Sequence, residues 1–158
     1  MTASIWVRGA LVLSLVASGS GALAAQQKTA KPAAANPLAA AQSLQCAFTS
    51  YAVTGWKDGK PFTVTADEVL GFQIVVLNLK KSRGRIVGAG GAEDATVVLT
   101  PTGLTAIEQT AIGNFLTTTV FTTGGSDGRF LAIHSRHIGD PASEPSPSQH
   151  FGSCRIVN

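Results

Sequence analysis

The sequence contains few of the residues that bind charged partners. Only 13% of the residues are charged and 6% are aromatic, and the formal net charge is +3. A charge this small and scattered does not favour binding to nucleic acid, and the dispersed aromatic residues do not suggest a base-stacking surface. The one basic cluster, residues 80–85, lies where a hairpin turn is expected, which favours a solvated turn over an anion-binding patch. We therefore expect no nucleic-acid partner.

The familiar catalytic and metal-binding motifs are missing or out of context. Residues 124–128 match G-x-S-x-G, but an esterase needs that serine between a strand and a helix, whereas both flanks here are strand-like. Residues 84–94 fail the G-x-G-x-x-G spacing because Glu93 stands at the third glycine position. The C-x-x-C and H-x-x-x-H spacings of zinc sites and the D-x-D-x-D-G calcium loop do not occur. We expect turns in both segments, no metal and no cofactor.

Residues 1–24 have the features of a secretory signal peptide. Arg8 supplies the positive charge, a short apolar run follows, and Ala22-Leu23-Ala24 fits the small-x-small cleavage rule. The run is interrupted by Gly and Ser and is too short for a transmembrane helix of about 20 residues. We predict cleavage before Ala25, no transmembrane segment after cleavage, and a periplasmic or secreted location.

A flexible tether and a single β-domain are predicted after the cleavage site. Residues 25–43 are rich in Ala, Gln and Pro and contain no aromatic side chain, so they predict a tether. Residues 44–158 form the predicted folded domain. Cys46 and Cys154 lie near its two ends, and in an exported chain they predict a disulfide rather than a zinc site.

The domain has the two-residue period of β-strands, with turn residues every 8–12 positions or so. This pattern predicts an all-β fold of seven or eight antiparallel strands, either a small barrel or a sandwich. Residues 62–65 and 70–79 are predicted as separate strands, and residues 139–149 as a long loop before the last strand. A disulfide between the domain ends mildly favours a barrel, because closure removes exposed strand edges.

The best candidate for a polar site lies on the predicted strand 129–137. The strand period places His134 and Arg136 on one face and His137 on the other. His150 would join the first two if the last strand pairs with this one. The group could then bind an anion, because Arg and His both donate hydrogen bonds. The alternative is that these side chains hold the strand end and the proline-rich loop in place.

Two other sets of residues have weaker functional interpretations. Trp56, which follows Gly55, either closes one end of the β-core or lines a ligand mouth. The acids at 67–68 and 93–94 are adjacent in sequence, so each pair would point to opposite faces of a strand. We interpret both pairs as solvated turn ends.

Four short segments carry a resemblance to known proteins: "QCAF" (45–48), "LTTTVFTT" (116–123), "FLAIHSRH" (130–137) and "PSPSQHFGSC" (145–154). Together they resemble small exported β-rich proteins of uncharacterised function from alphaproteobacteria. The resemblance covers nearly the whole predicted domain. It implies export, one disulfide and a β-rich fold, and it carries no activity and no assigned site residues.

These features favour a non-enzymatic, exported β-domain that binds a small molecule or a protein partner in the cell envelope. A cavity inside the fold would support the small-molecule version. The first alternative is a hydrolase-type enzyme that acts on an anionic substrate through His134, Arg136 and His150. That alternative requires the three side chains to converge and at least one histidine to have a shifted pKa. The second alternative is a structural envelope component.

Overall fold

The computed structural model describes residues 35–124, 127–139 and 144–157. The predicted signal peptide and residues 25–34 of the predicted tether lie outside these ranges. Eight strands and two short 3-10 helices, Pro37–Ala40 and Leu79–Lys81, form the described part of the chain. The strands are Ser43–Lys57 (β1), Lys60–Asn78 (β2), Arg83–Gly88 (β3), Gly91–Thr100 (β4), Gly103–Gln109 (β5), Phe115–Gly124 (β6), Arg129–Ile138 (β7) and Ser146–Ile156 (β8).

The strands form one closed antiparallel barrel. Each strand pairs with the next along the chain, and β1 pairs with β8 to complete the ring. The predicted all-β fold is confirmed. Of the two predicted architectures, barrel and sandwich, the barrel is correct. Within the residues that the structure describes, no helix has the length and apolar character needed to cross a membrane.

Alternate residues of each strand point into the barrel and build its core. Along β1, Leu44, Cys46 and Phe48 are fully buried, while Gln45 and Ala47 between them are exposed. This alternation is the consequence of the strand period, and it makes the inner face apolar apart from the buried polar residues Thr118, His134 and His150. The other strands contribute the remaining buried apolar side chains: Phe72, Ile74, Val97, Leu104, Ala106, Val120, Ala132 and Cys154.

The predicted disulfide is present at the seam where the barrel closes. Cys46 of β1 and Cys154 of β8 are direct partners in the strand register, with a Cα–Cα distance of 4.0 Å. The bond joins residues 108 positions apart in sequence. A disulfide of this kind is consistent with an oxidising, exported environment.

One end of the barrel is closed by residues that we had assigned to the tether. Leu38, in the first 3-10 helix, is fully buried and belongs to the core cluster. The Asn36 side chain donates hydrogen bonds to the carbonyl oxygens of Thr100 (2.7 Å) and Gly103 (3.3 Å), at the β4–β5 turn. The folded domain therefore begins before residue 44, because an apolar side chain in this Ala-rich segment covers the barrel end.

Two predicted strand boundaries are wrong. Residues 62–65 and 70–78 belong to one long strand, β2, which continues through a register shift opposite Phe48 and Ser50, and Leu79 begins the second 3-10 helix. Part of the expected loop at 139–149 belongs to β8, which begins at Ser146. Pro147 is tolerated there because β8 pairs with β7 at this point, whereas its pairing with β1 begins only at Ser148.

Candidate functional site

The end of the barrel opposite Leu38, which we call the mouth, contains two cavities. The first cavity has a volume of about 380 Å³, and its apolar lining comes from Leu70, Phe72, Ile86 and Leu116. The second cavity, of about 310 Å³, is lined by Tyr51, Val53, Ile138 and several polar residues. Arg136 lines both cavities and is the one residue that their linings share among the described residues.

Three of the four residues predicted for the site converge at the mouth. His134 of β7 and His150 of β8 are direct partners in the register, and their ring centroids are 5.7 Å apart. Arg136 lies two residues farther along the same face of β7, opposite Ser148. His137 is exposed, as expected for the other face of this strand.

His134 is held in an environment that disfavours its charged form. The residue is 4% exposed, and its ring packs against the stacked pair Phe48 and Phe72, with centroid distances of 5.8 and 5.1 Å. Its Nδ1 atom is 2.9 Å from the hydroxyl oxygen of Thr118, which is fully buried. Burial lowers the pKa of His134 to about 4, and His150 and Arg136 contribute in the same direction. The imidazole is therefore neutral at physiological pH.

His150 is 2% exposed, and its ring stacks on Tyr51 with a centroid distance of 5.5 Å. Its Nδ1 atom lies 3.6 Å from Oε2 of Glu68, which is too long for a hydrogen bond. Both ring nitrogens of His150 and Nε of Arg136 are buried without a hydrogen-bond partner among the described residues. Burial lowers the pKa of His150, Glu68 opposes that shift, and Arg136 adds to it.

Carboxylates surround these three residues. Glu93 and Glu108 line the first cavity, whereas Asp67 and Glu68 line the second. Burial raises the pKa of Glu108, and the nearby Glu93 raises it further. The acids at 67–68 and 93–94 are exposed, as predicted, but they lie within β2 and β4 rather than at turn ends. Both strands extend farther towards the mouth than the turn residues suggest.

Trp56 does not join the site. It lies next to the β1–β2 turn, is 45% exposed, and lines neither cavity of the mouth. A larger pocket of about 510 Å³ lies around Lys81, Arg83 and Phe115. It contains none of the unpartnered buried nitrogens, so we do not assign it a role.

Sequence reasoning missed two contributors, Thr118 and Glu108. Thr118 lies in a run of three threonines that predicts only a strand, and its contact with His134 depends on the β6–β7 register. The sequence does not indicate Glu108 as a site residue, because a single acidic residue in a strand is usually exposed to solvent. Within the described residues, no group of three or more His, Cys, Asp or Glu side chains is placed to hold a metal ion.

No protein-family model matches the chain, and no curated protein matches it.

We expect the buried histidines to make the protein less stable in mild acid. The folded pKa of His134, about 4, lies below its ordinary value of 6.5, so the unfolded chain binds the proton first as the pH falls. Its stabilising contribution is complete above pH 6.5 and is lost between pH 6.5 and about 4. The free energy of unfolding should fall there by about 1.4 kcal/mol per pH unit for this histidine. Urea unfolding at several pH values measures the slope.

The titration of Glu108 has the opposite effect on stability from that of His134, because the raised pKa of Glu108 favours the folded state at low pH. The variant His134→Gln isolates the histidine contribution and should reduce the slope. His137→Gln, on the exposed face of the same strand, is the matched control and should leave it unchanged. An unreduced slope in His134→Gln would contradict the assignment.

Proposed function

We propose that this protein is an exported, non-enzymatic β-domain that binds a small molecule in the mouth of its barrel. The observation that carries the proposal is the set of buried nitrogens at Arg136 and His150 that have no partner among the described residues. A buried polar group without a hydrogen bond costs about 1–3 kcal/mol. A ligand that hydrogen-bonds to these atoms would offset that cost.

The shape and lining of the mouth support the same function. Leu38 is buried at the opposite end of the barrel and belongs to the core there, whereas the two cavities lie at the mouth. The first cavity, at about 380 Å³, is within the usual size range of small-molecule sites. Its apolar side chains lie beside a few polar groups, which is the composition that binding sites typically have.

A fluorescent probe of apolar sites, 1-anilinonaphthalene-8-sulfonate, tests this function. We expect one probe molecule to bind each native chain. The variant Leu116→Trp should block binding because the indole fills the first cavity, where Leu116 is part of the lining. Leu131→Trp, on the outer face of β7 at a position 51% exposed, is the matched control and should bind normally. Absence of binding, or equal binding by a folded Leu116→Trp variant, would contradict the proposal.

The proposed location is the periplasm or the extracellular medium, with residues 1–24 as a cleaved signal peptide. The Cys46–Cys154 disulfide supports it, because such bonds persist in oxidising compartments. The resemblance to small exported alphaproteobacterial proteins agrees with this assignment. N-terminal sequencing of the protein recovered from a bacterial periplasm should begin at Ala25. Recovery of a chain that still begins at Met1 would count against export through this signal.

A hydrolase is the second candidate, and the geometry of His150 favours it. Glu68 lies 3.6 Å from Nδ1 of His150, and a carboxylate that closed this distance to a hydrogen bond when substrate binds would orient the imidazole as a general base. Arg136 would bind an anionic substrate group. Hydrolysis of carboxylic or phosphoric esters by the native chain, abolished in His150→Gln, would favour the enzyme over the binding protein.

A further inference from the structure

We propose that the ligand of the mouth is an amphipathic monocarboxylate. Its carboxylate would bind Arg136 and His150, and its apolar chain would occupy the first cavity. This inference rests on the proposed function, because it specifies the ligand of the same site.

Arg136 determines the charge of the ligand's polar end. Its Nε atom is buried and has no acceptor among the described residues. A guanidinium is always protonated and only donates hydrogen bonds, so the missing partner must be an acceptor. A carboxylate fits best, because its two oxygens match the forked arrangement of the guanidinium donors. Since Arg136 lines both cavities, the carboxylate would lie where they meet.

His150 supplies the second contact. Its Nδ1 atom is the nitrogen nearest Glu68, which leaves Nε2 for the ligand. If Nδ1 carries the proton of a neutral ring, Nε2 is an acceptor and cannot bind a carboxylate. If Glu68 keeps that proton on Nδ1, a carboxylate at Nε2 brings a second proton from solvent onto the ring, and ligand binding is coupled to proton uptake.

The groups that face His150 agree with this coupling. Glu68 of β2 favours the protonated ring, whereas Arg136 disfavours it. A bound carboxylate would neutralise much of the Arg136 charge and so remove part of the opposition. Tyr51 of β1 stacks on the ring, and His134 of β7 lies beside it in a neutral state.

The rest of the mouth limits the ligand to one negative charge and one apolar chain. An inorganic anion or a small dicarboxylate has no apolar chain that could contact the apolar lining of the first cavity. A second negative charge would also be repelled by carboxylates on both sides of Arg136. These carboxylates are Asp67, Glu68, Glu93 and Glu108.

Displacement of the fluorescent probe by four compounds tests the inference on the native chain with its disulfide intact. We expect octanoate to displace the probe at concentrations at least about tenfold lower than octan-1-ol, octanedioate or inorganic phosphate, as for a charge-assisted contact. Equal displacement by octan-1-ol and octanoate would overturn the carboxylate inference and leave the proposed function intact. Stronger displacement by octanedioate or phosphate would overturn the single-charge inference. If the probe itself fails to bind, the proposed function fails with it.

Calorimetry with two variants separates the roles of the two contacts. Arg136→Gln should weaken octanoate binding at least about tenfold, whereas Arg129→Gln, at the exposed far end of the same strand, should not change it. Titrations of the unsubstituted protein in buffers of different ionisation enthalpy should show proton uptake at pH 7, and His150→Gln should abolish it. Octanoate binding without proton uptake by the unsubstituted protein would contradict a doubly protonated His150 as the second contact, even if a variant fails to fold.

Discussion

Replacing Cys46 and Cys154 together by Ala will lower the free energy of unfolding by about 4–5 kcal/mol. The disulfide joins residues 108 positions apart, so it restricts nearly the whole unfolded domain. On the chain-entropy model, a loop of about 100 residues is worth close to 4.7 kcal/mol. Because domains of this size are usually stable by only about 5–15 kcal/mol, the loss is a large fraction of the total. Urea unfolding monitored by circular dichroism measures it.

Alanine is the suitable replacement because both cysteines are fully buried, and serine would bury two hydroxyl groups. The reduced form of the unsubstituted protein is the control, and its unfolding midpoint should match that of the double variant. The dependence of stability on urea should also become steeper, since the uncrosslinked chain exposes more surface when it unfolds. A loss below about 1 kcal/mol would mean that the unfolded chain keeps the two ends close without the bond.

Gly152→Ala will destabilise the barrel by about 3 kcal/mol or more. A Cβ atom at position 152 would lie 2.6 Å from Cα of Phe48 and 2.9 Å from the carbonyl carbon of Ala47, and it would also overlap the Ala47 oxygen. These are backbone atoms beside the irregularity where β1 shifts register against β8. They can move only if the strand pairing changes, and overpacking of this kind commonly costs 1–3 kcal/mol, sometimes more. Thermal and urea unfolding measure the loss.

Gly139→Ala is the matched control, because a Cβ atom there meets nothing within 4 Å. We expect its stability to stay within about 0.5 kcal/mol of the unsubstituted protein, as for most surface changes. If Gly152→Ala were equally mild, the close approach of β1 and β8 next to His150 would not be a constraint on the fold. The proposed ligand site would then lose one of the features that keep His150 in place.

The two-residue period of β-strands accounts for most of what the sequence predicts about the candidate site. It placed His134 and Arg136 on one face and His137 on the other, and the β7–β8 pairing confirms both placements. This succeeded because alternation along a strand depends only on local backbone geometry. The interpretation of Trp56 as a mouth residue had no such local basis, and the structure places it away from the cavities.

Other features depend on contacts between distant parts of the chain. The burial of Leu38 needs an open barrel end to cover, so the composition of residues 25–43 suggested only a tether. The continuity of β2 depends on a bulge that lets one strand bend past its partner. The raised pKa of Glu108 depends on burial and on Glu93, a residue of another strand.

The sequence by itself determined the all-β fold, the cysteine pair and the inward face of β7, because these follow from side-chain period and residue type. Only the tertiary structure decided that the sheet closes, that Leu38 covers one end, and that Nε of Arg136 and both ring nitrogens of His150 are buried at the other end without partners among the described residues. The physical reason is that closure of the ring sets the register of all eight strands together, and that register determines which polar atoms lose contact with water.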